Sequence, residues 1–220
     1  MVLIFFCGRA GVEYTVISPA QVTLAEGVRV GRGALLYPNN AVLGESEVGA
    51  GTVLYPGNIV RDSRVGENCE LTASVLEGAQ VGAGCTVGPF AHLRQGAEVG
   101  EGCRIGNFVE VKNARIGAGT RVAHLTYIGD AEVGENCNIG CGVVFCNYDG
   151  RKKSRTVVGK NCFIGSNVNL VAPVEIGEGS YIAAGTTVTE SVPPRSFVIG
   201  RSRQGSSETL ARRFFGGGNE

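Results

Sequence analysis

Aliphatic residues recur at every sixth position along most of the chain, a period that fits neither an amphipathic α-helix nor a simple alternating strand. The repeating unit reads aliphatic-Gly-x-x-small-x, as in VGAGCT and IGAGTR. Three units make a triangular coil of about 18 residues, and such coils stack in parallel about 4.8 Å apart. The pattern predicts an all-β protein, a hexapeptide-repeat parallel β-helix with its aliphatic side chains turned inward. The clearest inward positions are Val81, Val87, Leu93, Val99, Ile105, Val111, Ile116, Val122, Ile128, Val133, Ile139, Phe145, Val158, Ile164, Leu170, Ile176, Ile182 and Val188.

The extent of the repeat predicts the division of the chain. It can be followed from Val28 to Val188, which corresponds to about nine coils. We expect residues 1–20 to form a lead-in or cap, residues 21–192 the β-helix, and residues 193–220 a short C-terminal tail. A long step between Phe145 and Val158, more than twice the usual one, predicts an inserted loop at 146–157. In the tail, Ser206–Phe215 is compatible with a helix.

Glycine and cysteine take fixed places in the repeat. Glycine, 35 of 220 residues, follows the aliphatic position, where a tight corner favours a residue without a Cβ. This density disfavours a helical bundle, because each glycine inside a helix costs about 1 kcal/mol. Five of the eight cysteines fill the small fifth position, which predicts reduced packing residues in a reducing compartment rather than zinc ligands. They are Cys69, Cys85, Cys103, Cys137 and Cys162.

The charge balance excludes several classes of partner. Basic and acidic residues number 20 each, so the net charge gives no general electrostatic reason for binding to nucleic acid or to an anionic membrane. The longest apolar run, Val2–Cys7, is too short for a transmembrane helix or a signal-peptide core. We therefore expect a soluble, cytoplasmic protein.

Departures from the repeat cluster between Leu93 and Val158 and indicate a site. The position after the aliphatic residue is usually Gly or Ala, but here the chain twice has a cation, Arg94 and Lys112. They are separated by one full coil, so both side chains leave the same face. They form either a clamp for an anion such as phosphate or two solvated surface charges.

The next coil and the inserted loop add further candidates. The coil after Lys112 carries His124 and Tyr127 at positions expected to point outward. An imidazole can accept a proton near neutral pH, so His124 is either a general base or an ordinary exposed histidine. The loop contains the basic run Arg151–Arg155, which favours cations directed at the same anionic ligand over a nucleic-acid contact.

Five segments in this region are specific enough to indicate a family. They are Gly88–Arg94 (GPFAHLR), Gly106–Lys112 (GNFVEVK), His124–Asp130 (HLTYIGD), Asn138–Gly140 (NIG) and Cys146–Gly150 (CNYDG). In this order and spacing they closely resemble the acetyltransferase domain of the bacterial bifunctional N-acetylglucosamine-1-phosphate uridyltransferase/glucosamine-1-phosphate acetyltransferase. The resemblance covers roughly residues 12–203.

The resemblance implies a left-handed β-helix that works as a homotrimer with its sites between subunits. It implies transfer of acetyl from acetyl-CoA to the 2-amino group of glucosamine 1-phosphate, with no metal required. His124 would be the general base, and an amide such as Asn138 could stabilise the oxyanion. The residues implied to hold the sugar phosphate are Arg94, Lys112, Tyr127, Asn138 and Lys153. Those implied to hold acetyl-CoA are Cys141, where the family commonly has Ala, and Asn147, Tyr148, Ser166, Ala184 and Arg201.

Other functions stay open or are excluded at this point. No nucleotide-binding start typical of the uridyltransferase domain is present, so we expect neither uridyltransferase activity nor a need for magnesium. The alternatives are an acyltransferase for another amino-sugar phosphate or nucleotide sugar, and a non-catalytic β-helix scaffold. A carbonic anhydrase on this fold is excluded, because it needs three histidine ligands and the chain has only His92 and His124.

Overall fold

The computed structural model describes residues 13–207 and confirms a left-handed parallel β-helix. Every inward position predicted between Val81 and Val188 is buried. One 3₁₀ turn, Pro19–Gln21, precedes the second strand. The strands are β1 Thr15–Val16, β2 Val22–Leu24, β3 Arg29–Val30, β4 Leu35–Leu36, β5 Asn40–Leu43, β6 Glu47–Val48, β7 Val53–Leu54, β8 Ile59–Arg61, β9 Arg64–Val65, β10 Glu70–Leu71, β11 Val75–Glu77, β12 Gln80–Val81, β13 Thr86–Val87, β14 His92–Leu93, β15 Ala97–Val99, β16 Arg104–Ile116, β17 Arg121–Val133, β18 Asn138–Ile139, β19 Val144–Cys146, β20 Thr156–Val158, β21 Phe163–Ile164, β22 Asn169–Val171, β23 Val174–Ile176, β24 Tyr181–Ile182, β25 Thr187–Val188 and β26 Phe197–Val198.

Each coil has three faces, which we number first, second and third in the order in which the chain passes through them. The first face holds β13, β18, β21 and β24, the second β14, β19, β22 and β25, and the third β12, β15, β20 and β23. The long strands β16 and β17 pass through all three faces and pair from Arg104–Arg121 to Ile116–Val133. We call the bend between the first and second faces the first corner (residues 106–109 and 123–126). The second corner follows the second face (residues 112–113 and 129–130).

The ladder extends beyond both predicted limits. Strand β1 pairs with β4 inside the predicted lead-in, and β26 pairs with β24 inside the predicted tail. The helix therefore has about ten coils instead of nine. Val16 and Val198 continue the inward column although the residues around them do not follow the glycine pattern.

The two ends of the chain are not covered by the described residues. The expectations for residues 1–12 and for most of Ser206–Phe215 lie outside them. Within residues 13–207, no helix is long and apolar enough to cross a membrane.

The inserted loop leaves the coil at the second corner, between β19 and β20. Val133 still pairs with Val158 across the insertion, just as Ile116 pairs with Val133 one coil earlier without any extra chain between them. The loop is closed by an antiparallel bridge between Tyr148 and Lys153. At its tip the Asp149 carboxylate accepts hydrogen bonds from the backbone N–H groups of residues 151 and 152, both at 2.8 Å, and these donors lower the pKa of Asp149. The insertion therefore has a defined turn and does not interrupt the ladder.

The small fifth positions link neighbouring coils by hydrogen bonds. The Cys137 thiol donates to the carbonyl of Gly159 at 3.1 Å and accepts from the N–H of Cys162 at 3.4 Å. Thr120 makes the same pair of contacts from its hydroxyl, to Gly134 at 2.8 Å and from Cys137 at 3.0 Å. All seven cysteines within residues 13–207 are free, and the five in this column are buried. They are packing residues, as their place in the repeat predicts.

Replacement of Cys137 separates hydrogen bonding from packing. We expect Cys137→Ser to change the free energy of unfolding by less than about 1 kcal/mol, because a hydroxyl can make both contacts. Cys137→Ala should cost about 1–3 kcal/mol, because the buried N–H of Cys162 loses its acceptor. Urea unfolding followed by circular dichroism measures both values. Equal losses in the two variants would contradict this role for the thiol.

Candidate active site

Three cations meet at the second corner. Leu93 pairs with Val111, which stacks Arg94 and Lys112 on adjacent coils. The inserted loop brings Lys153 to the same place, and Lys153 and then Arg94 lower the pKa of Lys112 by charge repulsion. A cluster of like charges becomes favourable when an anion binds among them, so the corner is suited to a phosphate group.

The second face extends from this cluster toward the first corner. Glu110 and Tyr127 are paired on adjacent coils of this face. Arg94 Nη1 donates to Glu110 Oε1 at 2.7 Å, and this hydrogen bond raises the pKa of Arg94. The guanidinium therefore lies over the second face, with its side chain still 41% exposed. Arg94 is held in place and remains open to a ligand.

His124 lies at the first corner and stacks on Asn107, whereas Gly129 stacks on Lys112. Its Nδ1 lies 2.7 Å from Asn107 Oδ1. Because an amide oxygen only accepts, Nδ1 carries the proton and Nε2 is left as the acceptor. The second face therefore lies between His124 and the cation cluster.

Four further residues implied by the resemblance lie on the first corner or next to it, and a fifth lies on the first face. Cys141, Ser166 and Ala184 are exposed and stack above it in one column, set by the pairing of residues 122, 139, 164 and 182. Arg201 comes next, since a Cβ on Gly185 of this corner would lie 3.5 Å from Arg201 Cδ. Asn138 lies on the first face, on the strand leading into Cys141.

The remaining two, Asn147 and Tyr148, lie at the second corner, where the inserted loop begins. Asn147 is 8% exposed, and its Nδ2 lies 3.5 Å from Tyr127 Oη. Tyr148 is exposed. Within one chain, the second face therefore separates Asn147 and Tyr148 from Cys141.

Several polar residues of the site were not identified from the sequence. Asn107 sets the tautomer of His124, and Glu110 orients Arg94. Asp130 accepts hydrogen bonds from Asn113 and Asn147. Two of these contacts follow from the register, because Asn107 and His124, like Asn113 and Asp130, occupy equivalent places on adjacent coils. Within residues 13–207, no group of three or more His, Cys, Asp or Glu side chains could hold a metal ion.

Comparison with known proteins identifies a repeat family and a set of similar proteins. A family model described as "Bacterial transferase hexapeptide (six repeats)" matches residues 78–113 and 155–190. The "Bifunctional protein GlmU" of Caldicellulosiruptor saccharolyticus is 49% identical over 180 residues, 82% of this chain and 39% of that protein. The protein of the same name from Carboxydothermus hydrogenoformans is 48% identical over 198 residues, 90% of this chain and 44% of that protein. The chain therefore carries the bacterial transferase hexapeptide repeat and is homologous to part of the GlmU proteins.

Two acyltransferases of known structure share the fold at low sequence identity. The UDP-N-acetylglucosamine acyltransferase from Campylobacter jejuni superimposes with a TM-score of 0.55 at 17% identity, over 91% of this chain and 77% of that chain. The enzyme of the same name from Francisella novicida gives 0.57 at 16% identity, over 92% and 74%. Of the curated GlmU relatives cited above, the chain spans about two fifths of the length.

Proposed function

We propose that the chain is an acetyl-CoA-dependent N-acetyltransferase acting on the 2-amino group of glucosamine 1-phosphate. The proposal rests on the arrangement of side chains along the second face. It has a histidine with an accepting Nε2 at one edge, three cations at the other, and Tyr127 between them. An amino-sugar phosphate carries a nucleophilic amine and an anion on one small ring, and the Arg94 guanidinium, held over the second face by Glu110, brings a cation from the second corner toward the base. The substrate itself comes from the motif resemblance, which the similarity to GlmU supports.

The chemistry needs a deprotonated amine and a donor for the developing oxyanion. Nε2 of His124 takes the amine proton as the nitrogen attacks the thioester carbon. The nitrogen–carbon bond forms, the carbon–sulfur bond breaks, and coenzyme A leaves as a thiolate that then takes up a proton. The side-chain amide of Asn138 donates to the oxyanion. Transfer is direct, so Cys141 acts as a small residue beside the coenzyme and not as a nucleophile.

Acetyl-CoA requires two subunits in this proposal. The column of Cys141, Ser166 and Ala184 from one subunit and Asn147 with Tyr148 from another line the coenzyme, which supports a homotrimer with shared sites. The first corner also carries an apolar column in which each side chain is 56–59% exposed and each backbone has a positive φ. Its members are Phe90, Phe108 and Leu125. Bulky residues seldom adopt this conformation, and a contact between subunits would bury them.

An assay of thiol release from acetyl-CoA tests the proposal. We expect turnover with glucosamine 1-phosphate and little with glucosamine, glucosamine 6-phosphate or UDP-glucosamine. If the enzyme prefers another amino-sugar phosphate or a nucleotide sugar, the proposed substrate would be wrong but the proposed reaction would stand. No turnover with any amino sugar, by protein shown to be folded by circular dichroism, would contradict the enzyme function and favour a scaffold.

Gly129 keeps space for the tyrosine of the site. A Cβ at this position would overlap Tyr127 Oη and lie 2.8 Å from Asn147 Nδ2. We expect Gly129→Ala to displace Tyr127 and raise the KM for the sugar phosphate about tenfold, with a nearly unchanged melting temperature. Steady-state kinetics and thermal unfolding measure the two effects. Gly205→Ala is the matched control, because its Cβ meets nothing within 4 Å.

A further inference from the structure

One carboxylate ties three successive coils together at the second corner. Asp130 Oδ1 accepts a hydrogen bond from Asn113 Nδ2 on the coil before, at 2.5 Å. Asp130 Oδ2 accepts one from Asn147 Nδ2 on the coil after, also at 2.5 Å. Both oxygens are thus used by side-chain amides of neighbouring coils. Asp130 is not among the residues that the resemblance assigns to a ligand.

The carboxylate fixes which end of the Asn147 amide faces it. A carboxylate only accepts, so the NH₂ group of Asn147 must face Asp130 and the carbonyl oxygen Oδ1 must face away. Asn147 is also nearly buried, which limits other orientations of its side chain. The amide therefore presents an acceptor, and not a donor, on the side away from Asp130.

The charge of Asp130 acts on the neighbouring cations as well. It favours the protonated form of Lys112, against the repulsion from Lys153 and Arg94. A negative charge at this place competes with a bound phosphate for the same cations. Removal of the charge should therefore strengthen phosphate binding, while it releases the Asn147 amide.

We propose that Asp130 is a positioning residue for acetyl-CoA, holding Asn147 so that its carbonyl oxygen accepts a hydrogen bond from an amide N–H of the pantetheine arm. The pantetheine arm has two such donors. This inference rests on the proposed function in one respect, the assignment of Asn147 to the coenzyme. It adds Asp130, with Asn113 as its support, to the residues that determine coenzyme affinity.

Replacement of Asp130 by asparagine tests the inference. Asp130 has a φ of 48°, a conformation that asparagine also tolerates, so the corner should keep its backbone. The replacement turns one of the two accepting oxygens into an NH₂ group, which cannot accept from the amide that faces it, so Asn113 and Asn147 can no longer both be held as they are in the wild type. We expect the KM for acetyl-CoA to rise about tenfold and the KM for glucosamine 1-phosphate to fall severalfold, with kcat changed less than about threefold.

Asp62 offers a matched control. It lies at the same corner on an earlier coil, with a φ of 46°, and its Oδ1 accepts from the N–H of Glu45 at 3.1 Å. Asp62→Asn should leave both KM values unchanged. Opposite shifts of the two KM values in Asp130→Asn support the positioning role, because a purely structural defect would move both in the same direction. Unchanged values, or shifts in one direction, would overturn it.

A binding measurement separates this inference from the proposed function. Titration of the whole protein with coenzyme A by calorimetry does not depend on turnover. We expect about tenfold weaker binding to the Asp130→Asn protein than to the wild type. An inactive wild-type protein would contradict the proposed function. Equal affinity of the two proteins for coenzyme A would overturn the role of Asp130, whether or not the wild type is active.

Discussion

His124→Ala is expected to lower kcat about 10²- to 10⁴-fold, the usual contribution of a positioned general base. The KM values should change little, because the cations at the second corner and the column of Cys141, Ser166 and Ala184 do not depend on the imidazole. The rate should partly recover at alkaline pH, where more of the free amine is deprotonated without help. Steady-state kinetics over a range of pH measure all three effects.

The second histidine of the chain provides the control. His92 lies on the second face two coils before Tyr127, and its Nε2 is 3.3 Å from Glu77 Oε2. His92→Ala should keep the wild-type kcat. Asn107→Leu should lower kcat by less than His124→Ala, because the imidazole stays but its tautomer is no longer fixed. A His124→Ala protein with full activity would rule out the proposed base.

The second large effect is expected at the phosphate end of the site. Lys112→Ala should raise the KM for glucosamine 1-phosphate about 10- to 100-fold, because Lys112 lies between Arg94 and Lys153 and supplies a charge-assisted contact to the phosphate. The KM for acetyl-CoA should stay within about threefold of the wild-type value. Steady-state kinetics with each substrate varied in turn distinguish the two.

The same cluster gives this site a pH dependence with a defined sign. The pKa of Lys112 is lowered in the free protein by Lys153 and Arg94. A bound phosphate offsets that repulsion and raises the pKa, so binding takes up a proton and weakens as the pH rises through the lowered pKa. In a Lys153→Ala protein the repulsion is smaller, and the alkaline rise in KM should move to higher pH.

Lys160 is the control for the loss of a lysine. It forms a surface ion pair with Glu178 at 3.6 Å, and both side chains are more than half exposed. Lys160→Ala should leave both KM values unchanged. A Lys112→Ala protein with wild-type affinity for the sugar phosphate would show that the phosphate binds elsewhere.

The sequence was sufficient for the fold because the β-helix repeats one unit. Each aliphatic position packs on its equivalents in the coils above and below, so the pattern alone identifies the interior. It was also sufficient for Arg94 and Lys112, because one coil of regular length separates them. The limits of the ladder were less predictable, since Val16 and Val198 pair without the glycines that mark the other coils.

The polar contacts of the site were not predictable from an even period. Coils differ in length: the step from Leu71 to its partner Val87 is shorter than the step from Leu93 to its partner Val111. Coils of strictly equal length would have placed His124 on Gly106, whereas it pairs with Asn107. The roles of Glu110 and Asp130 depend further on side-chain rotamers, which one residue's identity does not determine. Prediction of these contacts would have required the register of the coils and the rotamer of each side chain.

The pairing of Val133 with Val158 across the inserted loop has a consequence for how proteins with this fold can diversify. The strands on either side of the loop stack as they would without it, so new sequence can enter at a corner without a change in the ladder. Exchange of residues 147–155 for another segment would therefore change the contacts at the second corner and leave the buried aliphatic column in place. A scaffold of this kind acquires new specificities by grafting at its edges, and its core is inherited intact.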